Sequence, residues 1–583
     1  MSVAVQAGMH PDLLPAIRDA LIGDDATLPG PFGPRPIVYA DYAASGRALS
    51  FIEEFISDQV LPFYANTHSE ASGTGRQTTH LREEARRIIH DAVGAGDDDV
   101  VIFCGSGSTA AIDKLVAVLG LRLPRELDVR HGLSDSIAVA QRPVVFIGPY
   151  EHHSNELPWR ESIATVVAIP AGRDGRIDLE ALERALMEHA DRPLRIGSFS
   201  AASNVTGILS DVDRVTALLH RHGALAFWDY AAAGPYVSID MNPRADGDRE
   251  AKDAVFLSPH KLVGGPGSPG VLVAKRRLFA NRIPTVPGGG TITYVTADVQ
   301  HYAPDLVARE EGGTPAIVDS IRAGLAFQLK AAVGCDEIAA REEQFTRRAL
   351  ASLRANPRIQ LLGDLEAPRL PIVSFVVRHG DRLLHHQLLV TLLSDLFGIQ
   401  ARGGCSCAGP YGHALLGIGP AARAGIEREV LRGHLGIKPG WARVSFPYFL
   451  AEPVFDYVLR ALHFIADHGW RFLSQYRFDV TSGAWSHRSG ARPPGVRLAA
   501  VDYQAGRMRY PRPYRRPRDI PLAYYLEEAM KLAGVTSGEI GRAGASSVEV
   551  SDEFERLRWF PLPGDTVAAP RTAGATTAAS PGS

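Results

Sequence analysis

Apolar residues recur at helical spacing in two parts of the chain. Each set ends just before a glycine, which commonly follows the end of a helix. Side chains three and four positions apart lie on one face of a helix, so the spacing predicts two amphipathic helices. The two sets are Leu81, Ala85, Ile88, Ile89 and Ala92 before Gly94, and Val212, Val215, Leu218 and Leu219 before Gly223.

Short continuous apolar runs alternate with crossover or turn segments, which is typical of a mostly parallel sheet covered on both faces. A helix is expected after about Gly312, and strands at 371–377 and 442–446 predict a smaller α+β domain. The runs of the main sheet are Val100–Phe103, Val144–Ile147, Thr165–Ile169, Leu194–Phe199 and Leu225–Trp228.

Charged residues follow two of these buried runs. Asp229 comes directly after Leu225–Trp228, and Lys261 follows the apolar run 253–257 in Ser-Pro-His-Lys. Read singly, Asp229 could cap a turn and Lys261 could be a solvated surface charge. Together at strand ends, they suit a pyridoxal-phosphate enzyme, in which an aspartate keeps the pyridine nitrogen protonated and a lysine binds the cofactor covalently.

A small-residue loop joins strand Val100–Phe103 to a predicted helix that starts near Ala110. Backbone N–H groups at such a helix start bind anions, and the hydroxyls of Ser108 and Thr109 are expected to bind a phosphate. The same loop superficially matches a dinucleotide fingerprint. We reject that interpretation because no acidic residue ends a second strand about twenty residues on, where the irregular segment Pro124–Asp128 is expected instead.

From about Val38 to about Leu450 the sequence resembles the class V aminotransferase group of fold-type I pyridoxal-phosphate enzymes. Within the group it is most similar to the cysteine desulfurase and selenocysteine lyase branch. The matching motifs are Tyr39–Ser45, Tyr64–His68, the Glu-His-His-x-Asn motif at 151–155, Ser203–Gly207, Ser258–Lys261, Gly312–Pro315 and Ala442–Phe446. The resemblance implies a large domain built on a mostly parallel seven-stranded sheet, a smaller α+β domain and a homodimer.

The resemblance also implies a role for individual residues. His152 stacks on the cofactor ring, Asn204 contacts the ring hydroxyl, and Asp229 pairs with the pyridine nitrogen. Ser258 and His260 bind the phosphate, Lys261 bonds to the cofactor, and Thr314 reaches the phosphate of the neighbouring subunit. The substrate-binding residues are Arg443, which grips the substrate carboxylate, Arg402 and His68.

Several of these residues have a simpler interpretation. His152 and His153 could be a polar loop pair, and Asn204 could be a turn residue. Arg443 could be a surface charge, although it stands in an alternating strand pattern, and its planar fork suits a carboxylate. Thr314 could cap a helix.

The segment Arg402–Pro410 contains the motif on which the predicted reaction depends, Arg-Gly-Gly-Cys-Ser-Cys. In cysteine desulfurases a loop cysteine attacks the sulfur of the bound cysteine and becomes a persulfide, and Cys407 matches that residue. The pattern is closer still to the sulfurase domain of molybdenum-cofactor sulfurases. A structural or zinc-binding role, with His413 as a further ligand, is the alternative, but a single Cys-x-Cys is a poor zinc site.

Two positions depart from the branch. Ala232 stands where group II desulfurases carry a glutamine that touches the ring hydroxyl, and Pro259 replaces a small flexible residue. The first change removes a hydrogen bond at the cofactor. Because the family includes transaminases, lyases and epimerases, the fold alone does not choose the reaction.

The bulk properties suit a cytoplasmic enzyme. The chain has 583 residues, a formal net charge of −3 and four cysteines, so neither nucleic-acid affinity nor a disulfide framework is expected. The amino terminus lacks a basic region followed by an apolar core, and no apolar stretch is long enough to span a bilayer. We therefore expect neither secretion nor a membrane segment, and we predict no metal site.

Five segments are expected along the chain: an amino-terminal segment (1–35), a large cofactor-binding domain (36–310), a small α+β domain (311–470) that includes part of the amino-terminal segment, a carboxyl-terminal extension (471–566) and a disordered tail (567–583). In the extension, arginines, prolines and tyrosines interleave at 507–518 before a helix at 522–532. We interpret this stretch as a proline-stiffened arm packed on the subunit or dimer, or as a docking surface for an acidic partner.

These observations predict a homodimeric pyridoxal-phosphate enzyme that removes sulfur or selenium from cysteine or selenocysteine. A small-molecule amino acid is the expected substrate, and a sulfur-acceptor protein is an expected partner. The alternatives are an aminotransferase, lyase or epimerase in which Cys407 is incidental, and a noncatalytic scaffold that binds a partner through the extension. Retention of Asp229, Lys261 and Arg443 argues against the scaffold.

Overall fold

The computed structural model describes residues 9–67, 70–243, 250–490, 496–504, 506–512, 520–539 and 550–565. All structural statements below concern these ranges. Among them, no helix combines the length and apolar character needed to cross a bilayer.

The strands are, in chain order, β1 (Thr27–Gly30), β2 (Gly33–Pro36), β3 (Val38–Tyr39), β4 (Asp99–Cys104), β5 (Val144–Ile147), β6 (Thr165–Ala168), β7 (Arg195–Ser200), β8 (Leu225–Asp229), β9 (Ala254–Leu257), β10 (Gly270–Lys275), β11 (Ile292–Val295), β12 (Gln300–Tyr302), β13 (Ile359–Leu361), β14 (Ile372–His379), β15 (Arg382–Leu383), β16 (Ile399–Gln400), β17 (Arg402–Gly404), β18 (Trp441–Ser445), β19 (Tyr476–Phe478) and β20 (Trp485–His487).

The α-helices are α1 (Leu13–Asp19), α2 (Ser50–Phe55), α3 (Gly73–Ala92), α4 (Gly107–Val118), α5 (Arg125–His131), α6 (Leu157–Arg160), α7 (Leu179–Glu188), α8 (Val212–Arg221), α9 (Leu306–Glu310), α10 (Ile317–Val333), α11 (Cys335–Arg354), α12 (His386–Phe397), α13 (Gly409–Leu415), α14 (Pro420–Leu431), α15 (Glu452–His468), α16 (Leu522–Glu539) and α17 (Asp552–Leu557).

A seven-stranded sheet in the order β4-β10-β9-β8-β7-β5-β6 forms the centre of the large domain. Only β10 runs antiparallel to its neighbours, β4 and β9, and the other pairs are parallel. Successive residues of β8 enter different cores, because Trp228 packs in one apolar cluster and Phe227 in the other. The predicted mostly parallel sheet covered on both faces is therefore confirmed.

The helix pattern is confirmed at α3 and α8, but the expectation of an irregular segment at 124–128 is wrong. Residues 125–131 form α5, with Glu126 and Asp128 in its first turn, Arg130 and His131 in its last. Gly132 follows in the left-handed conformation, φ 60°. Such charges stabilise both helix ends. No side chain of α5 is buried, so the segment has no apolar periodicity by which a helix could be recognised.

A second sheet, in the order β13-β14-β18-β17, forms the centre of the small domain. Helices α11, α12 and α15 bury apolar side chains in its core. Near the amino terminus, β3 pairs in parallel with β16. This pairing ties residues 38–45 to the small domain and places Asp41 against Arg443 of β18.

The carboxyl-terminal extension contributes to this same core. Tyr525 and Leu526 of α16, Phe554 of α17 and Phe560 are all at most 6% exposed within it. The helix expected at 522–532 is confirmed. Apolar side chains of residues 520–533 and 550–562 pack into the core of the small domain, and the arm or docking surface expected at 507–518 stays a prediction. Residues 513–519 and the tail predicted to be disordered lie outside the described ranges.

Candidate functional site

A cavity of about 210 Å³ opens at the carboxyl ends of β4, β7, β8 and β9. Ligands bind at this edge in open parallel sheets, because the loops that follow the strands converge there. The structure brings most of the predicted site residues to its wall: Ser108, Thr109, His152, Asn204, Asp229, Ser258, His260, Lys261, Arg402 and Arg443.

Lys261 and Asp229 reach the cavity from the ends of adjacent strands, β9 and β8. Burial lowers the pKa of Lys261 to about 8, although Asp229 opposes that shift. Asp229 is 4% exposed, and its Oδ1 accepts a hydrogen bond from the backbone N–H of Ala231 at 2.8 Å. Burial raises the pKa of the Asp229 carboxyl. A cationic ligand group beside Asp229 would therefore stabilise its buried charge.

The turn that carries Lys261 is fixed by a close backbone approach. The N–H of Gly46 donates to the carbonyl of His260 at 2.9 Å. A Cβ atom at Gly46 would lie 2.0 Å from the carbonyl oxygen of Leu262, so only glycine fits. The segment 39–46 therefore supports the lysine turn as well as the small domain.

The loop between β4 and α4 forms an anion-binding arrangement. The backbone N–H of Ser108 donates to Ser258 Oγ at 2.9 Å, and Thr109 Oγ1 lies 2.6 Å from Ser154 Oγ. These hydroxyls and the first turn of α4 meet at one wall of the cavity. Hydroxyls and N–H groups at a helix start are a suitable phosphate site, as the sequence predicts.

The motif at 151–155 is held by the buried carboxylate of Glu151. This carboxylate accepts from the backbone N–H groups of Gly148 and Ser200, from Ser200 Oγ at 2.6 Å and from Asn155 Nδ2 at 2.7 Å. Burial raises the pKa of Glu151 to about 7. The network joins the ends of β5 and β7, and it fixes the backbone from which His152 reaches the cavity.

His152 lines the cavity as a neutral ring. Burial, followed by the charge of Lys261, lowers the pKa of its imidazole to about 3. Its Nδ1 accepts from the N–H of Ser154 at 3.1 Å. A neutral, oriented imidazole can stack on a flat conjugated ligand.

Arg443 is buried and has a carboxylate partner that the sequence did not single out. Its NH2 nitrogen lies 2.6 Å from Asp41 Oδ1, and its NH1 nitrogen donates to the carbonyl of Asn204 at 2.8 Å. Arg402 stands beside it in the register of β17 and β18. Two guanidinium groups with one carboxylate leave the cavity wall net positive, which suits an anionic ligand group.

Three buried polar atoms at this wall have no partner within the described part of the chain: Asn204 Oδ1, Ser406 Oγ and Arg443 Nε. Leaving such atoms unpaired costs free energy unless a ligand or water pairs with them. The cavity therefore presents a reactive lysine, a buried aspartate, a phosphate-type loop and unsatisfied polar groups. This set of groups fits pyridoxal phosphate.

Cys407 is the predicted catalytic residue that does not line the cavity, although Ser406 beside it does. Its carbonyl accepts from the backbone N–H of His153 at 2.8 Å. The described cysteines are all free thiols. Within the described ranges, no group of three or more His, Cys, Asp or Glu side chains is arranged to hold a metal ion.

Thr314 is exposed and lies away from the cavity of its own chain, and Asn66 Nδ2 donates to its hydroxyl at 3.3 Å. The alternative role as a helix cap is wrong, because Ala316 occupies the cap position of α10. Its expected role in the neighbouring subunit stays a prediction. His68, predicted to bind substrate, lies outside the described residues.

Residues 38–432 match the family model described as "Aminotransferase class-V". The chain belongs to this family. Its members depend on pyridoxal phosphate, so the chain is an enzyme of that kind, and the fold-type I architecture agrees with the seven-stranded sheet.

Curated relatives share part of the sequence. The chain is 29% identical over 379 residues to a "Probable cysteine desulfurase" of Halalkalibacterium halodurans. The aligned residues make up 64% of this chain and 85% of that protein. It is 27% identical over 379 residues to a protein of the same description from Streptomyces coelicolor, covering 64% and 84% of the two chains.

Solved structures show the same fold. The apo cysteine desulfurase of Thermococcus onnurineus superposes with a TM-score of 0.59 at 22% identity, covering 74% of this chain and 95% of that one. The cysteine desulfurase CsdA of Escherichia coli gives a TM-score of 0.56 at 22% identity, covering 74% and 94%.

Proposed function

We propose that this enzyme is a pyridoxal-phosphate-dependent cysteine desulfurase that takes sulfur, or selenium, from cysteine or selenocysteine and leaves alanine. The observation that carries the proposal is the joint placement of Lys261, Asp229 and Arg443 on one cavity wall that also includes Ser406, the residue before Cys407. The names of the relatives support the same reaction.

The residues of the cavity wall have distinct roles toward the cofactor. Lys261 is the covalent attachment point, Asp229 is the anionic partner of the ring nitrogen, and His152 is the stacking group. The ring hydroxyl is bound by Asn204. The phosphate is bound by Ser108, Thr109, Ser258 and His260. When bound, pyridoxal phosphate supplies an electron sink that stabilises negative charge on the substrate carbon next to the amino group.

Arg443 binds and orients the substrate carboxylate, with Arg402 as a second cation at the same wall. A guanidinium fork suits a carboxylate because both present two parallel hydrogen-bonding positions. Burial lowers the pKa of Lys261 to about 8, so a far larger fraction of the free amine is neutral near neutral pH than for an ordinary lysine, and this neutral amine can accept or return a proton.

Cys407 is the sulfur acceptor. Its thiolate attacks the substrate sulfur, a sulfur–sulfur bond forms, and the carbon–sulfur bond of the substrate breaks. The electron pair of the broken bond stays with carbon, which takes a proton and becomes the methyl group of alanine. Cys407 then carries a persulfide. Its outer sulfur passes to an acceptor such as a partner protein, and the Cys407 thiol is restored.

An aminotransferase, or a lyase or epimerase, is the second candidate function. It is favoured by the position of Cys407, whose thiol does not line the cavity, and by Ala232, which adds no polar group to the wall. Incubation with cysteine and a thiol reductant, which releases the persulfide sulfur as sulfide, and separately with an amino acid plus a keto acid, distinguishes the candidates. A desulfurase forms alanine and sulfide, whereas an aminotransferase forms a new keto acid.

The enzyme acts in the cytoplasm as a homodimer in which Thr314 of each subunit contacts the phosphate of the other. Exposed large apolar side chains on the segment 51–64, which leads to Asn66, the hydrogen-bond partner of Thr314, support the dimer, because an interface would cover them. They are Phe51, Phe55, Leu61, Phe63 and Tyr64, which are 37–52% exposed. We propose the same segments as the sequence predicts: 1–35, 36–310, 311–470, 471–566 and 567–583. The extension 471–566 adds side chains to the core of the small domain.

A further inference from the structure

The loop that carries Cys407 has an unusual backbone. Ser406 and Cys407 have φ angles of 51° and 55°, and they are the only non-glycine residues of the described ranges with positive φ. This conformation is unfavourable for residues with a Cβ atom. Contacts from outside the loop must therefore hold Ser406 and Cys407 in place.

His153 supplies two of these contacts from the motif that also carries His152. Its backbone N–H donates to the carbonyl of Cys407 at 2.8 Å, and its ring Nε2 accepts from the backbone N–H of Gly409 at 3.2 Å. The second bond requires a neutral ring with its proton on Nδ1. His153 thus holds the loop on both sides of Ala408, and neither bond involves an atom of the cavity wall.

Ser406 faces the cavity on the other side of the loop. Its carbonyl accepts from Asn204 Nδ2 at 2.8 Å, while the residue is 6% exposed and its buried hydroxyl has no hydrogen-bond partner within the described ranges. Asn204 Oδ1, an acceptor, is also buried without a partner in that part of the chain. Both residues line the cavity, so a ligand hydroxyl there could accept from the serine and donate to the amide oxygen.

We propose that the loop 405–409 is clamped from two sides, by His153 at all times and by Ser406 only when a ligand hydroxyl fills the cavity. Occupancy of the cavity then sets the fraction of time for which the loop is released and the Cys407 thiol is accessible. His153 is a positioning residue, and Ser406 contacts the ligand. The inference rests on the proposed function for the ligand, which is pyridoxal phosphate.

The test measures the rate at which iodoacetamide alkylates Cys407, by mass spectrometry, with and without saturating pyridoxal phosphate. In the wild-type protein the cofactor should slow alkylation of Cys407 about fivefold, the factor that corresponds to one ordinary hydrogen bond. In Ser406→Ala, loaded with cofactor as judged by visible absorbance, that protection should vanish. Ser406→Gly removes the same hydroxyl while suiting the left-handed backbone, and serves if the alanine variant loads poorly.

Two amide variants test the other clamp. A glutamine at 153 places its amide oxygen near the position of Nε2, whereas an asparagine reaches only as far as Nδ1. Alkylation of Cys407 should rise about fivefold in His153→Asn and stay near the wild-type rate in His153→Gln, equally with and without cofactor. Alkylation of Cys335, which lies at the start of α11, reports general loosening.

If pyridoxal phosphate slowed alkylation of Cys407 equally in the wild-type protein and the Ser406 variants, the ligand-dependent clamp by Ser406 would be overturned. If Cys407 were alkylated at equal rates in His153→Asn and His153→Gln, the permanent clamp by His153 would be overturned. These results are separate from failure of the proposed function: a wild-type protein that takes up no pyridoxal phosphate contradicts that function, and one that takes up the cofactor but makes no alanine contradicts only the desulfurase reaction.

Discussion

Arg443 and Asp41 form a close ion pair, with 2.6 Å between a guanidinium nitrogen and a carboxylate oxygen. The arginine is 2% exposed and lines the cavity, and its Nε has no partner within the described ranges. Asp41 therefore orients the group that we propose binds the substrate carboxylate, and it leaves part of the guanidinium fork free for that contact.

Replacing Arg443 should weaken substrate binding more than cofactor binding. Arg443→Ala should raise KM for cysteine about 10- to 100-fold, because a hydrogen bond to a charged group contributes about 1.5–3 kcal/mol. Visible absorbance of the cofactor should persist. Asp41→Asn is the matched control, since it keeps Arg443 but removes the carboxylate that competes with the substrate. It should raise KM less than Arg443→Ala does. Unchanged KM in Arg443→Ala would show that the carboxylate binds elsewhere.

The pH dependence of cofactor attachment should report the lowered pKa of Lys261. Burial brings that pKa from 10.5 to about 8, and only the neutral amine is nucleophilic. The rate at which the cofactor-free protein takes up pyridoxal phosphate, followed by absorbance, should rise with pH and level off above about 8. Because the charge of Asp229 raises this pKa, Asp229→Asn should move the midpoint to lower pH. A wild-type rate that keeps rising toward about pH 10 would contradict the assignment.

The exposed apolar side chains of the segment 51–64 should lie in the dimer interface. The double variant Leu61→Glu/Phe63→Glu should shift sedimentation from dimer to monomer and reduce cofactor retention, because charges in a large apolar interface are strongly disfavoured. Leu431→Glu, at a side chain that is 80% exposed on α14, is the control and should stay dimeric. A fully active wild-type monomer at assay concentration would rule out a shared site.

The two loop cysteines should differ in their effect on alanine production. Cys407→Ser should lower it by about 10³-fold or more, because a hydroxyl is almost never ionised at neutral pH and is a far weaker nucleophile than a thiolate. Cys405→Ser should cost less than about 10-fold. If Cys407→Ser kept full turnover while Lys261→Ala lost it, Cys407 would be incidental and the aminotransferase alternative would stand.

Much of this site could be predicted because strand ends leave a strong local signal. A buried apolar run followed by a single charge marks Asp229, and the small-residue turn marks Lys261. Their convergence then follows from parallel strand order. The phosphate loop between β4 and α4 is equally local, since its glycine and hydroxyl residues lie next to one another in the chain.

Other features depend on contacts between distant segments or on the absence of any pattern. Asp41 meets Arg443 across 402 positions, and the grip of His153 on Gly409 spans 256. Neither contact has a local signal. Helix α5 has no buried side chain, so only its end charges mark it. The packing of Phe554 and Phe560 in the small-domain core depends on tertiary contacts.

Product analysis decides whether the enzyme is a desulfurase. The purified wild-type enzyme, loaded with pyridoxal phosphate and supplied with cysteine and a reductant, should form alanine and sulfide in equal amounts, and Lys261→Ala should form neither. Formation of a keto acid from an amino acid and a keto-acid acceptor, without alanine or sulfide from cysteine, would show that the enzyme is not a desulfurase.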